Sequence, residues 1–309
     1  MNRLPEAKHY YHRALKTHYG SRIEEWCSQP TGQDFCPLKW NDEHAEDLPH
    51  STLQLYSAVW YNIALIHDKM GFYGKATSAF KVSLGLRRTM LGPNHPDIST
   101  LLYNVGVLLT EQHKLEEATA SFKEALRIRQ ISPAPGHLSD YHVIQTLKKL
   151  ASMHKAEGSI SGALETLYEI LNIQKISASS ATEAGGNLLA KTRDVGLTMR
   201  EIAELHLAEG RIAEAVNMAQ ESIALCRSIQ SAAGGTSDVV ASTEDLVTGL
   251  LLLGSLNHEN CESAKARQLF QEAADMIRQV SIHFPTSKQL DAMHEVTQIL
   301  ATCHCAPVA

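Results

Sequence analysis

Little in this chain invites catalysis, membrane insertion or nucleic-acid binding. Basic residues are not in excess: 28 Lys and Arg stand against 34 Asp and Glu, a net charge of -6. Nucleic-acid binders carry a basic footprint, so nucleic acid is not expected among the partners. The most apolar run, Leu246 to Leu256, is about half of what a bilayer crossing needs, so no membrane insertion is expected. The opening Met1-Asn2-Arg3-Leu4-Pro5 is polar and charged where a secretory leader is apolar, which makes a cytoplasmic chain the expectation. Six thinly spread cysteines (Cys27, Cys36, Cys226, Cys261, Cys303 and Cys305) lack a C-x-x-C spacing, which favours reduced thiols over a disulfide framework. Phosphate-cradling glycine loops, a G-x-S-x-G elbow and an H-E-x-x-H helix are all absent. No catalytic residue, cofactor or small-molecule substrate is therefore expected. Cys303-His304-Cys305 offers adjacent residues and too few ligands for zinc, so no metal is expected either. Aromatics make up only 6% of the chain, and its apolar content is instead rich in Ala, Leu and Ile. That balance favours helices.

What the chain does contain is repetition. A small residue recurs with a second one twelve positions later: Ala64 and Ala76, Gly106 and Ala118, Ala151 and Ala163, Ala203 and Ala215, Gly254 and Ala266. In the same five registers, large apolar residues precede the first small one by one and by four positions, as Ile63 and Trp60 do in the first unit. Four residues after each second small position stand Phe80, Phe122, Leu167, Ala219 and Phe270; three further on come Ser83, Ala125, Ile170, Ser222 and Ala273. Spacings of three and four place each set on one helix face. Between the two helices lie Gly71, Gly158 and Gly210, with His113 and Cys261 at the equivalent place in the other two units. Glycine suits a helix terminus that needs positive φ. The small residues let two antiparallel helices approach closely. A lone hairpin cannot cover its apolar face, so hairpins must stack.

This pattern resembles the tetratricopeptide repeat. The expected fold is all-α: a superhelical solenoid of about five helical hairpins with capping helices. The units recur at 42, 45, 52 and 51 residues, longer than the usual interval of about 34. The run Leu91-Gly92-Pro93-Asn94-His95-Pro96-Asp97, then Leu102-Tyr103-Asn104-Val105-Gly106 and Leu126-Arg127-Ile128-Arg129, is similar to the repeat of kinesin light chains. That closer resemblance covers roughly residues 52 to 175. The expected organisation is an N-terminal helix over 1–18, an irregular stretch over 19–50, the solenoid over 51–284, and a capping helix with tail over 285–309. The Ser- and Gly-rich stretches Ser177 to Asn187 and Ser231 to Ser242 are expected as flexible inter-repeat loops.

In each first helix, the stripe opposite the packing face should line the concave side of the stack. Tyr61-Asn62 and Tyr103-Asn104 occupy identical places one repeat apart, followed by Lys148, Lys149, Lys155 and Arg200. Asn can donate to and accept from an extended backbone, and Tyr supplies rigid amphipathic contact area. The resemblance implies that groove positions of this kind bind extended peptides. The expected function is a non-enzymatic adaptor or scaffold holding a protein or an acidic, extended peptide in its groove. The alternative is a constitutive subunit of a larger assembly. A kinesin light chain also carries an N-terminal heptad region; none is visible in this sequence, which counts against direct motor assembly unless the sequence is a piece of a longer chain. His67, His154 and His206 share one repeat position, which points to helix packing.

Overall fold

The computed structural model describes residue 13 and residues 49–131, 138–184, 188–232 and 236–283. Apart from residue 13 and residues 49–50, the expected N-terminal helix and irregular stretch fall outside them, as do the C-terminal capping helix and the Cys303-His304-Cys305 feature. The described residues form ten helices and no strand: α1 His50–Lys69, α2 Tyr73–Leu91, α3 Pro96–Glu111, α4 Leu115–Ile131, α5 Leu138–Ala156, α6 Ile160–Ala184, α7 Leu188–Ala208, α8 Ile212–Ala232, α9 Thr236–Glu259 and α10 Ser263–His283. The chain divides into two compact units, residues 1–157 and 158–309.

Four hairpin turns are built the same way. Gly71 takes φ +76°, its N–H bonds to the Asp68 carbonyl at 2.9 Å, and the Phe72 N–H reaches back to the His67 carbonyl at 2.9 Å. This pair of bonds satisfies the last carbonyls of α1 and reverses the chain. Gly210 does the same at φ +73°, while His113 and Cys261 hold the left-handed conformation at +58° and +62° without glycine's freedom. The α2–α3 connection is stopped by Gly92 at φ +81°, and α3 starts at Pro96, whose missing N–H costs a first-turn residue nothing. His95 caps that end, its Nδ1 accepting from the Asp97 N–H at 3.2 Å.

In the first unit α1 packs on α2 and α3 on α4, and the hairpins stack through α2–α3 and α4–α5 contacts. Trp60, Ile63, Ala64, Ala76, Phe80, Ala118 and Phe122 are sealed in one core, which Leu150 and Met153 of α5 join. In the second unit α6 packs on α7, α7 on α8, α8 on α9 and α9 on α10. Its core gathers Ala203, Ala215, Leu250, Ala266 and Phe270. All ten small-residue positions are buried. The same side-chain tie recurs in both units: Ser83 Oγ donates to the Ser57 carbonyl at 2.8 Å, and Ser222 Oγ to the Gly196 carbonyl at 2.7 Å.

Two expected loops are corrected. Ser177 to Ala184 continue α6, and Ser231 and Ala232 end α8 while Thr236 to Ser242 open α9. Alanine is the best helix former, and several of these positions are Ala. Serine hydroxyls here bond back to their own helix, as Ser179 Oγ does to the Ile176 carbonyl at 2.8 Å, so they need no loop geometry. Lys191 of α7 ties down this extension by donating to the Ser177 carbonyl at 3.0 Å.

Candidate functional site: a tyrosine- and asparagine-lined groove face

Tyr61 on α1 and Tyr103 on α3 are half-buried and set by the same device. The Tyr61 ring stands edge-on to Phe80, centroids 5.3 Å apart at 65°; Tyr103 meets Phe122 at 5.6 Å and 63°. Edge-to-face rings at this separation attract through opposed quadrupoles. A guanidinium supports each ring as well: Arg87 Cζ lies 5.4 Å from the Tyr61 centroid, and Arg129 Cζ lies 5.2 Å from that of Tyr103. Such a cation over an aromatic face contributes about 0.5–1 kcal/mol, more when desolvated. Arg87 Nε also donates to Ser57 Oγ at 3.0 Å, and Arg129 Nε donates to Ser99 Oγ at 3.3 Å. Both tyrosines are thus held from beneath and from the side.

The two arginines reach onward to the next hairpin. Arg87 Nη1 lies 3.6 Å from the Asp97 carboxylate at the start of α3. Arg129 Nη1 donates to the His142 carbonyl at 2.6 Å and to Thr146 Oγ1, both on α5. Arg129 is 8% exposed, and burial holds its pKa below the ordinary arginine value. Burial likewise raises the Tyr103 phenol, with Arg129 pulling it the other way.

The side chains expected along the groove have unspent hydrogen-bonding groups. Among the described residues, no hydrogen bond engages the side-chain amides of Asn62 and Asn104 or the hydroxyls of Tyr61 and Tyr103. Lys148 and Lys149 on α5 likewise have no ion pair among the described residues; Lys148 is exposed and Lys149 half-buried. Lys155, two turns on, is exposed. Arg200 belongs to α7 of the second unit, where its guanidinium faces Glu204 at 3.8 Å and Asp245 at 4.0 Å. Arg193 Nε donates to the same Asp245 at 2.5 Å. Burial raises the thiol of the neighbouring Cys226, and Asp245 adds to that. Arg200 is therefore occupied within its own unit.

Sequence reasoning missed three residues. Arg87 and Arg129 lie at a constant offset of seven from Phe80 and Phe122, a signal that was available. Tyr141 is 57% exposed and opens the α5 stripe that continues as Gln145, Lys148, Ser152 and Lys155 at four-three-four-three spacing. The histidines behave as packing groups. His67 and His206 are buried, His206 Nε2 meets the Tyr168 hydroxyl at 2.8 Å, and the half-buried His154 lies 3.6 Å from Glu157. No group of three or more metal-ligating side chains occurs among the described residues, and no described helix is long and apolar enough to cross a membrane.

Helical hairpins nested through small residues are the architecture of the tetratricopeptide-repeat fold. Residues 55–131, the first two hairpins, match the tetratricopeptide repeat family. Solved structures extend the likeness over most of the chain. BtubC (BKLC) from P. vanneervenii is 16% identical, covering 93% of this chain and 95% of that one with a TM-score of 0.53. A protein of Podosopora anserina described as a kinesin light chain with nearly identical repeats is also 16% identical, covering 77% and 98% at 0.51. The apo form of RapI is 10% identical, covering 80% and 83% at 0.52. At these identities the shared property is the fold.

Proposed function

We propose that the chain is a protein-interaction adaptor and that the first unit receives an extended, acidic peptide segment of its partner. One observation carries this reading. Asn62 and Asn104 occur at equal register on α1 and α3, each beside a braced tyrosine, and neither amide has a partner within the described residues. A carboxamide presents both a donor and an acceptor, so two of them one repeat apart can grip successive peptide groups of an extended strand. Lys148 and Lys149 follow at the corresponding register of α5 and supply charge for acidic side chains. Rigid tyrosines add contact area at low entropic cost. The proposal rests on the first unit, because Arg200 already has acidic neighbours. The fold is one of open helical faces, and the reading requires no catalysis.

A peptide array graded in net charge, probed with the purified chain, tests this. Acidic extended peptides should be retained. The Asn62→Ala/Asn104→Ala double variant should lose about tenfold in affinity, consistent with two hydrogen bonds of ordinary strength. Lys148→Glu/Lys149→Glu should abolish the preference for acidic sequences. Retention unchanged by both double variants would remove the proposal.

A further inference from the structure

Arg87 and Arg129 are repeat equivalents with one difference. Arg87 has a carboxylate, Asp97, 3.6 Å from its guanidinium. The place of Asp97 in the next repeat is held by His142, and Arg129 receives only neutral acceptors there: the His142 carbonyl, Thr146 Oγ1 and Ser99 Oγ. Among the described residues no carboxylate lies within ion-pair distance of Arg129. A guanidinium only 8% exposed thus keeps its full charge without a counter-ion. Burying an uncompensated charge is costly, and the field of such a charge extends further through protein than through water.

Two phenols lie in this neighbourhood. The Tyr103 ring sits over the Arg129 guanidinium at 5.2 Å. Tyr141 is exposed on the first turns of α5, its ring against His142 at 5.5 Å. The Tyr141 phenol is close enough to act electrostatically on that of Tyr103, and neither hydroxyl has a hydrogen-bond acceptor among the described residues. One free O–H donor thus belongs to the ring over a cation that lacks its anion, and a second is on Tyr141, the neighbour of the residue whose carbonyl that cation bonds. The amino end of α5 adds positive potential at the same place, partly offset by the Asp140 carboxylate in its first turn.

We infer that Tyr103, Tyr141 and Arg129 form an oxyanion subsite in the first unit, and that it takes one carboxylate of the bound peptide. The two phenols donate to the carboxylate oxygens, and the guanidinium beneath supplies the charge that Asp97 neutralises in the preceding repeat. This inference rests on the peptide-groove reading and assigns a place within that groove to one acidic residue.

The test uses the full chain and two probes, the peptide acetyl-Gly-Ser-Glu-Glu-Ser-Gly-amide and its Gln-Gln counterpart, followed by NMR. The acidic peptide should shift the Arg129 Nε–H and the Tyr103 and Tyr141 ring signals saturably, while the glutamine peptide leaves them in place. His142→Asp supplies the missing counter-ion from within the chain. This variant should melt at or above the wild-type temperature and bind the acidic peptide at least about tenfold more weakly. Tyr103→Phe/Tyr141→Phe keeps the rings and removes the donors, and should weaken the acidic peptide several-fold without changing the response to the glutamine peptide. If the Asn62 and Asn104 amide signals move and those of Arg129 do not, the subsite is refuted while the groove reading stands. If neither set moves, both fail. Undiminished binding by His142→Asp also overturns the subsite.

Discussion

The ring of Phe122 lies directly against the backbone of Gly106: a Cβ added to that glycine would come within 2.7 Å of the ring, and Phe270 stands in the same relation to Gly254 at 2.6 Å. The small residue is a contact requirement here, since both φ angles are ordinary helical values. Ala would improve helix propensity by about 1 kcal/mol, but overpacking of this kind costs about 1–3 kcal/mol. Gly106→Ala should therefore lower stability by about 1 kcal/mol, and Phe122→Leu should restore most of it. Urea denaturation of the single and double variants checks this. Ala64 with Phe80 in the first hairpin shows that such a hairpin can adapt to one methyl group, which keeps the expected loss small.

Arg87 should matter more than the ion pair it makes. Its partner Asp97 is about half exposed, at 54% of its side chain, and exposed pairs contribute at most about 1 kcal/mol. The hydrogen bond to Ser57 and the stack beneath Tyr61 are better shielded. Asp97→Asn should change stability by less than about 0.5 kcal/mol, although the first-turn charge of α3 is lost with it. Arg87→Met should cost about 1–2 kcal/mol. Equal effects in equilibrium unfolding would contradict the assignment of the guanidinium to the ring and the serine.

The left-handed turn residues offer a gain. His113 at φ +58° and Cys261 at φ +62° occupy places where the other hairpins carry glycine. An L-residue in this conformation carries a penalty of roughly 1–2 kcal/mol, which glycine escapes. His113→Gly should raise stability by about 0.5–1 kcal/mol after glycine's greater unfolded-state freedom is subtracted. Thermal melting of this variant is the measurement.

Acid should weaken the second unit through His206. Burial foremost, then Arg211, holds its pKa below the ordinary 6.5, against smaller opposing effects of Glu214 and Glu209. The folded state keeps the ring neutral, so below about pH 6.5 the unfolded chain binds the proton first. The stability contribution is complete above that pH and declines as pH falls toward the lower folded-state value. His142, depressed by burial and by Arg129, acts with the same sign in the first unit. Denaturation midpoints between pH 7.5 and 5.5 should fall for the wild type and fall less for His206→Asn. A flat wild-type profile would contradict the neutral assignment.

Much of this architecture was legible because it depends on local periodicity. Ala64 with Ala76 or Gly106 with Ala118 announces a close helix approach wherever it recurs, and Gly71 and Gly210 announce the turns. What escaped notice depends on context. Ser179 and Ala184 look like loop residues by composition, yet they continue α6, since alanine favours the helix and the hydroxyl bonds to its own turn. Arg129 looks like a solvated charge at the end of α4, because its burial beneath Tyr103 depends on the arrival of α5. Tyr141 stood beyond the stripe that Gln145 and Lys148 began. Its exposure follows from where α5 starts.

The seam formed by Arg87 and Arg129 has a historical reading. Ring, brace and serine all return after 42 residues, as Tyr61, Phe80, Arg87 and Ser57 become Tyr103, Phe122, Arg129 and Ser99. At the equivalent repeat position farther along the chain stand Gln174, Cys226 and Ile277. The first two hairpins thus keep the marks of a duplicated module, while the third replaces the cation with a neutral amide that accepts from Thr198 and the last two close over oilier side chains.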